Sequence, residues 1–436
     1  MKRNPNFPFA PSKSPIFYGW IVMFAGTIGV IASIPGQTMG VSVFTNYLID
    51  SLQLSRDALS SAYLIGTVTS SLFLTHAGKI YDKFGARFTA MIAAFGLGIT
   101  LILFSYSHLL SESISSSINI GFSTSSFVLI SLLFFFLRFS GQGVLTLASR
   151  NMVMKWFDQR RGLANSLSSA IQSFGFAVSP LFIALIITRF DWSTAYQALA
   201  ILTVLFIIFA YFLYRDNPEE CGLIPDGKMI ETKVESLPTF QSKKQYTLKE
   251  ARSTWVFWVF ALSLCFNAFF ITGFTFNIIS IFESCGFSEQ KALSVFIPVS
   301  IISIITAVTG NIFSDYIRIQ KLLFVYLIGC FLASLGIAIL ESEIGYYILI
   351  VGNGIMGGLY SVLVAISWPR FFGRKHLGAI SGLSMSLVVF SSAFAPLFFS
   401  RIHTLTNSYS LAGYVGIACA ILLFVFSVKA KNPQLQ

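Results

Sequence analysis

The strongest constraint on this chain is a recurrence: apolar stretches of about 20 residues or more appear twelve times along it. They lie at roughly 18–48, 58–77, 88–107, 127–154, 163–188 and 195–214, then at 255–282, 292–313, 322–340, 345–369, 380–400 and 410–428. At about 1.5 Å of rise per residue, each can cross a hydrocarbon layer as a helix, and a helix satisfies its own backbone in lipid. With 55% hydrophobic residues, 11% charged residues and 46 Phe in 436 positions, a water-soluble fold could not cover its own surface. The chain is expected to be an all-α integral membrane protein of 12 transmembrane helices.

The net charge of +11 suggests a nucleic-acid partner only until its distribution is read. The Lys and Arg residues fall in short clusters between apolar runs and form no continuous basic face. Placing the N-terminus inside puts 24 of the 29 on the cytoplasmic side, leaves Arg56, Arg189, Lys291 and Arg401 outside, and leaves Arg138 within the membrane. Both termini are therefore expected in the cytoplasm of a multi-pass protein of the cell or inner membrane. The expected organisation is a tail at 1–16, a six-helix bundle at 17–214, a polar linker at 215–251, a second six-helix bundle at 252–428 and a tail at 429–436. The polar start Met1-Lys-Arg-Asn-Pro-Asn leads into a span too long for a cleavable leader, so none is expected.

The halves repeat. A shift of 216 residues lays Gly162 on Gly378, Leu167 on Leu383, Ser168 on Ser384, Phe174 on Phe390, Ala177 on Ala393 and Pro180-Leu-Phe on Pro396-Leu-Phe. Agreement between spans of like orientation is a parallel internal repeat, an architecture of secondary transporters. Asp82 and Asp315 need a shift of 233, and the extra residues are expected in a Ser-rich outer loop from His108 to Ser125.

Between spans two and three the chain reads Gly78-Lys-Ile-Tyr-Asp82-Lys-Phe-Gly85-Ala-Arg87, and a degenerate copy, Gly310-Asn-Ile-Phe-Ser-Asp315-Tyr-Ile-Arg318, follows span eight. Two glycines permit a very short turn, and Asp82 can pair with Arg87 while facing a neighbouring helix N-terminus. This pattern resembles the loop signature of the major facilitator superfamily. Arg138-Phe-Ser-Gly141-Gln142-Gly143 resembles that family's fourth-span motif, with the Gln-Gly pair displaced by one residue. The resemblance covers about 17–428 and implies two six-helix bundles. It makes Gly78, Asp82, Gly85, Arg87, Asp315, Arg160 and Arg161 a gating loop set, which holds one conformation of the cycle and does not bind substrate.

A narrower resemblance rests on Tyr18-Gly-Trp20 and on Trp156-Phe-Asp-Gln-Arg160-Arg161-Gly-Leu-Ala164. Both look like signatures of the monocarboxylate porter and oxalate/formate antiporter branch. That branch is associated with cationic side chains in span eight or eleven, and here 292–313 and 380–400 contain no Lys, Arg or His.

All 18 acidic residues lie in loops or at span ends, which disfavours a cationic substrate. A single buried cation favours an anion, through Coulomb attraction and charge-assisted hydrogen bonds at low dielectric. Two readings of Arg138 stand side by side: substrate ligand, or structural arginine bonded to backbone carbonyls or Gln142. In the resembled arrangement spans one, four, seven and ten line a cavity, and the candidate substrate residues are Arg138, Gln142, Gln37, Asn267, Asn277, Asn353 and Tyr360. On a 3.6-residue helix Arg138, Gln142 and Ser149 would share a line. Any of these polar residues could equally be an interhelical hydrogen bond.

An enzyme would need paired acids, a Ser/His pair or a metal cluster inside the spans, and the four His lie at span ends or in loops. ATP-driven transport would need a phosphate-binding Gly-x-x-x-x-Gly-Lys-(Ser/Thr) loop, which the chain lacks. Five scattered Cys show no disulfide framework and no metal spacing. The expectation is a non-enzymatic carrier for a small organic anion, without cofactor or metal, working as a monomer in the lipid bilayer, with a coupled proton or counter-anion left open. The alternatives are a carrier for a neutral solute or drug, and a receptor without flux.

Overall fold

In the computed structural model the described residues are 6–158, 160–227, 244–314 and 316–435. Among them the regular structure is helical throughout, with no strand. Several helices open on a side chain that satisfies a backbone N–H of the first turn: Ser55 for Ala58, Asp191 for Thr194, Thr254 for Phe257 and Ser342 for Gly345. The short helix Leu248–Arg252 opens with a complete capping box between Thr247 and Glu250.

The twelve apolar runs all find helices. Span one is Gly19–Ala32, which breaks at the 3-10 turn Ile34–Gly36 and resumes as Thr38–Ser42 and Thr45–Leu52. Pro35 lacks the N–H that a continuing helix would use, so the break falls where the sequence places it. Spans two and three form Arg56–Ser105, interrupted only at Gly85, where φ is 81° and ψ is 174°. Span four is Phe122–Trp156, and its centre, Arg138–Leu145, is wound as a π-helix. Spans five and six are Arg161–Arg189 and Trp192–Leu213. The second half supplies Trp255–Glu283, Phe296–Ser314, Ile319–Ala338, Glu343–Phe372, Leu377–Thr406 and Ser410–Ser427.

The expected outer loop at His108 to Ser125 is instead mostly helix. Ser107–Ile118 is helical, turns at Asn119 with φ 58°, and is followed directly by span four. Its Ser115 hydroxyl donates to the Ile120 carbonyl and its Ser111 carbonyl accepts from the Ser125 hydroxyl, while the buried Ser107 and Ser111 hydroxyls have no partner among the described residues.

The chain forms two compact units, 1–158 with 170–235 and 377–386, and 159–169 with 236–376 and 387–436. In the first, spans four and six both pack on the hairpin of spans two and three, and span one packs on Thr146–Trp156. In the second, span ten packs on spans eight and nine, and span twelve on span nine. The start of span eleven thus clusters with the first half and the start of span five with the second.

Candidate functional site

In the first unit the two irregular backbones meet. A Cβ on Gly36 would lie 2.6 Å from the Leu137 carbonyl oxygen, 2.8 Å from the Gly141 Cα and 2.9 Å from the Gln142 nitrogen. Only glycine allows the broken part of span one to lie so close to the π segment of span four. Arg138 ties them together: its Nη1 donates to the Gly36 carbonyl at 3.0 Å and to Thr38 Oγ1 at 3.4 Å. The guanidinium lies over the Tyr63 ring at 5.1 Å, and only 2% of the residue is exposed. Its Nε is buried and without a partner, as is Oε1 of Gln142. No carboxylate is at ion-pair distance from Arg138 among the described residues. Next to this tie Gln37 donates to Ser33 and Thr146, and the Thr38 and Tyr63 hydroxyls are 2.8 Å apart.

Ser149 was expected on one line with Arg138 and Gln142, and like them it lies against span one, at Gly29. Ser149 donates to the Leu145 carbonyl and meets the Tyr214 hydroxyl at 2.8 Å, at the end of span six.

In the second unit, Asn277 donates to the carbonyl of Gly273 one turn back, the interhelix-free arrangement of a polar residue within its own helix. Asn267 is buried and Tyr360 is half-buried. Asn353 is 2% exposed, and neither its Nδ2 nor its Oδ1 has a partner among the described residues. An amide so placed leaves its full desolvation cost uncompensated, which marks the position for a ligand, a water or a rearrangement.

The gating set assembles around Asp82. The N-cap of span eleven, His376, offers no side-chain bond, and the orphan donors of its first turn are instead met by Asp82. Asp82 Oδ1 accepts from Gly378 N and Oδ2 from Ala379 N, each at 2.8 Å. A carboxylate there also meets the positive end of the helix dipole. Gly78 was expected to help form the turn but lies within the helix instead, where a Cβ on it would be 2.0 Å from the Gly378 carbonyl oxygen. The turn is made by Gly85 alone, in a left-handed conformation that a side chain would strain. Arg87 donates from Nε to the Tyr214 carbonyl. The acid that holds this turn is Asp216, which accepts from Ala86 N at 2.9 Å and from Lys155 Nζ at 3.2 Å.

Asp216 was read from sequence as an ordinary linker residue, and only its position just after span six hinted otherwise. Two further contacts keep the start of span eleven in place: Asn151 donates to Ser381 at 2.7 Å, and the Ser386 hydroxyl donates to the Ser71 carbonyl. In the second unit Asn165, at the start of span five, donates to Asn311, a residue of the degenerate copy, at 3.0 Å. Arg160 is exposed and Arg161 buried at that same start, and Asp315 lies outside the described residues.

Near Tyr18 the first unit has a cation clamp. Arg215 is 1% exposed, donates to the carbonyls of Phe9, Phe212 and Tyr214, and lies over the rings of Phe9 and Tyr18. Burial pushes the adjacent Cys221 thiol up to about 11, against the lowering influence of Arg215.

Comparison with known proteins agrees with this architecture. The family model described as Major Facilitator Superfamily matches residues 26–396. An uncharacterized transporter of Bacillus subtilis strain 168, YybO, is 21% identical over 419 residues, covering 89% of each chain. MFS-type transporter 1 of an Ophiocordyceps species is 28% identical over 218 residues, 47% of this chain and 42% of its own. Among solved structures, the proton:xylose symporter XylE bound to 6-bromo-6-deoxy-D-glucose superposes with a TM-score of 0.66 at 16% identity, over 94% of this chain and 95% of its own. The Escherichia coli fucose:proton symporter FucP gives 0.63 at 13% identity, over 95% and 98%. At these identities the likeness is one of fold. The expected monocarboxylate or oxalate/formate branch finds no support among these relatives. With the family model spanning most of its length, the chain belongs to the Major Facilitator Superfamily, as a multi-pass membrane transporter of the twelve-helix, two-domain fold and not an enzyme.

Proposed function

We propose that this transporter moves a small organic anion, of monocarboxylate or dicarboxylate type, by alternating access, with both termini on the cytoplasmic side. The observation that carries the reading is Arg138: a buried cation in the middle of span four, without a carboxylate partner, with Nε unpaired. Placing a guanidinium at membrane depth costs roughly 2.5–3.5 kcal/mol on insertion scales, so a role beyond packing is expected of it. An anion would compensate that charge and the unpaired donor together. A proton or a counter-anion would complete the cycle, and the chain would work as a monomer. Within this reading Gln37, Gln142, Asn267, Asn277, Asn353 and Tyr360 are candidate substrate groups. The Asp82 cap on span eleven, with Gly78, Gly85, Arg87, Arg160, Arg161 and Asp315, is the candidate gate.

The test is uptake of radiolabelled oxalate, lactate and malate into liposomes under an imposed gradient, with Arg138→Ala reconstituted at equal density. Loss of anion flux in the variant supports the reading, and undiminished flux removes Arg138 from it.

One observation favours a second reading, a neutral solute. Arg138 already spends Nη1 on the Gly36 carbonyl, and the accessible groups beside it are hydroxyls and an amide. The xylose and fucose carriers that share the fold lend that alternative weight. Competition by xylose and fucose against the anions separates the two.

A further inference from the structure

We infer that the group presented to the substrate at this site is the Tyr63 hydroxyl, which acts as a hydrogen-bond donor whose polarity is set by Arg138 through Thr38. The inference rests on the anion reading of the site and names its specificity-determining residue. A guanidinium can only donate. Its Nη1 reaches Thr38 Oγ1 at 3.4 Å, so Thr38 accepts there. A threonine hydroxyl has one proton of its own, and we direct it to the Tyr63 oxygen 2.8 Å away, a distance across which either hydroxyl can donate. In that arrangement the Tyr63 proton is left over: Tyr63 is half-buried, Thr38 is exposed and Arg138 is 2% exposed.

Hydrogen bonds in such a chain polarise one another, so the terminal O–H is a better donor than an isolated phenol. A site that ends in a donor backed by a fixed positive charge selects acceptors, and a carboxylate oxygen answers it best. The Nε2 of Gln37 nearby is engaged with Ser33 and Thr146, so the donor that remains beside Arg138 is in the hydroxyl row.

The register of Tyr63 is fixed independently of any ligand. Its ring meets Phe134 edge-on at 5.3 Å, one turn before Arg138, and lies against the guanidinium at 5.1 Å. Three residues on, a Cβ at Gly66 would fall 2.7 Å from the Phe135 nitrogen, so spans two and four touch backbone to backbone beside it. Sequence reading did not select Tyr63, because a single Tyr in an apolar span is unremarkable until a charge is found beneath it.

The test uses wild type, Tyr63→Phe, Thr38→Val and Thr38→Ser, reconstituted after each is shown monodisperse in detergent. Initial rates are taken with radiolabelled oxalate, lactate and malate, and with xylose as the neutral probe. Tyr63→Phe keeps the ring and removes only the terminal donor. It is expected to raise KM for the transported anion roughly tenfold or more while leaving the maximal rate within about threefold, as expected for one lost bond to a charged acceptor. Thr38→Val should reproduce the effect and Thr38→Ser should restore it. An unchanged KM in Tyr63→Phe, with anion transport intact in wild type, overturns this inference and leaves the anion reading standing. Xylose flux in wild type with none of the three anions overturns the anion reading, and the inference with it.

Discussion

Replacing Asp82 with Ala removes the only side-chain cap that the structure gives to the first turn of span eleven. Two backbone N–H bonds at 2.8 Å are lost at once, at Gly378 and Ala379. Each bond to a charged acceptor is worth about 1.5–3 kcal/mol when the donors are left without water. The half-buried carboxylate argues for the lower figure, and capping substitutions cost about 1 kcal/mol where water can replace the side chain. A loss of about 2–3 kcal/mol follows, which is roughly 30- to 150-fold in the opening equilibrium of that turn. Asp82→Asn keeps one neutral acceptor and should lose about 1 kcal/mol, near fivefold. The assay is hydrogen exchange at the amides of 378 and 379 in reconstituted protein, with exchange in span nine as an internal reference. Faster exchange confined to the start of span eleven, larger for Ala than for Asn, is the expected outcome. Unchanged protection at both amides in a folded Asp82→Ala protein would refute the capping argument, whatever transport does.

Three further outcomes follow from the same geometry. Gly36→Ala forces a methyl against backbone atoms 2.6–2.9 Å away, where no side chain can yield. It should lower the thermal midpoint in detergent by several degrees, with a cost of about 1–3 kcal/mol for overpacking; an unaltered midpoint would show that spans one and four separate easily. Cys221, with its thiol pushed up to about 11, has about one thiolate in a thousand at pH 8 and should resist maleimide until the pH approaches that value. Phe9→Ala opens the clamp over Arg215 and should raise that labelling rate at pH 8 by tenfold or more; equal rates would mean that the N-terminal segment does not shield Cys221.

Much of the fold was legible because it follows from one-dimensional signals. Apolar length predicted twelve helices, and the repeat at Gly162 and Gly378 marked the starts of spans five and eleven. Those same starts are the segments that cluster with the opposite half, and at span eleven the helix N-terminus itself makes the contact, capped by Asp82. The site was legible only in its charge. Arg138 stood out as a cation in an apolar run, but its partners, Gly36 and Thr38, are about a hundred residues away and are brought near by a break and a π segment. The π winding carries no simple sequence signature. Gly78 and Gly85 looked alike in sequence, yet one is a packing contact and the other a turn, a distinction that depends on the approach of Gly378. Asp216 was hidden for the opposite reason: an acid in a polar linker is ordinary until Lys155 and the Ala86 amide are found on it.

The most direct test of the central claim is gradient-driven uptake of oxalate, lactate and malate into liposomes by wild type and by Arg138→Ala at matched density. The account predicts saturable flux of at least one anion in wild type and its loss in the variant, with the variant still folded. Saturable anion flux that survives Arg138→Ala, or wild-type flux of xylose alone, would contradict it.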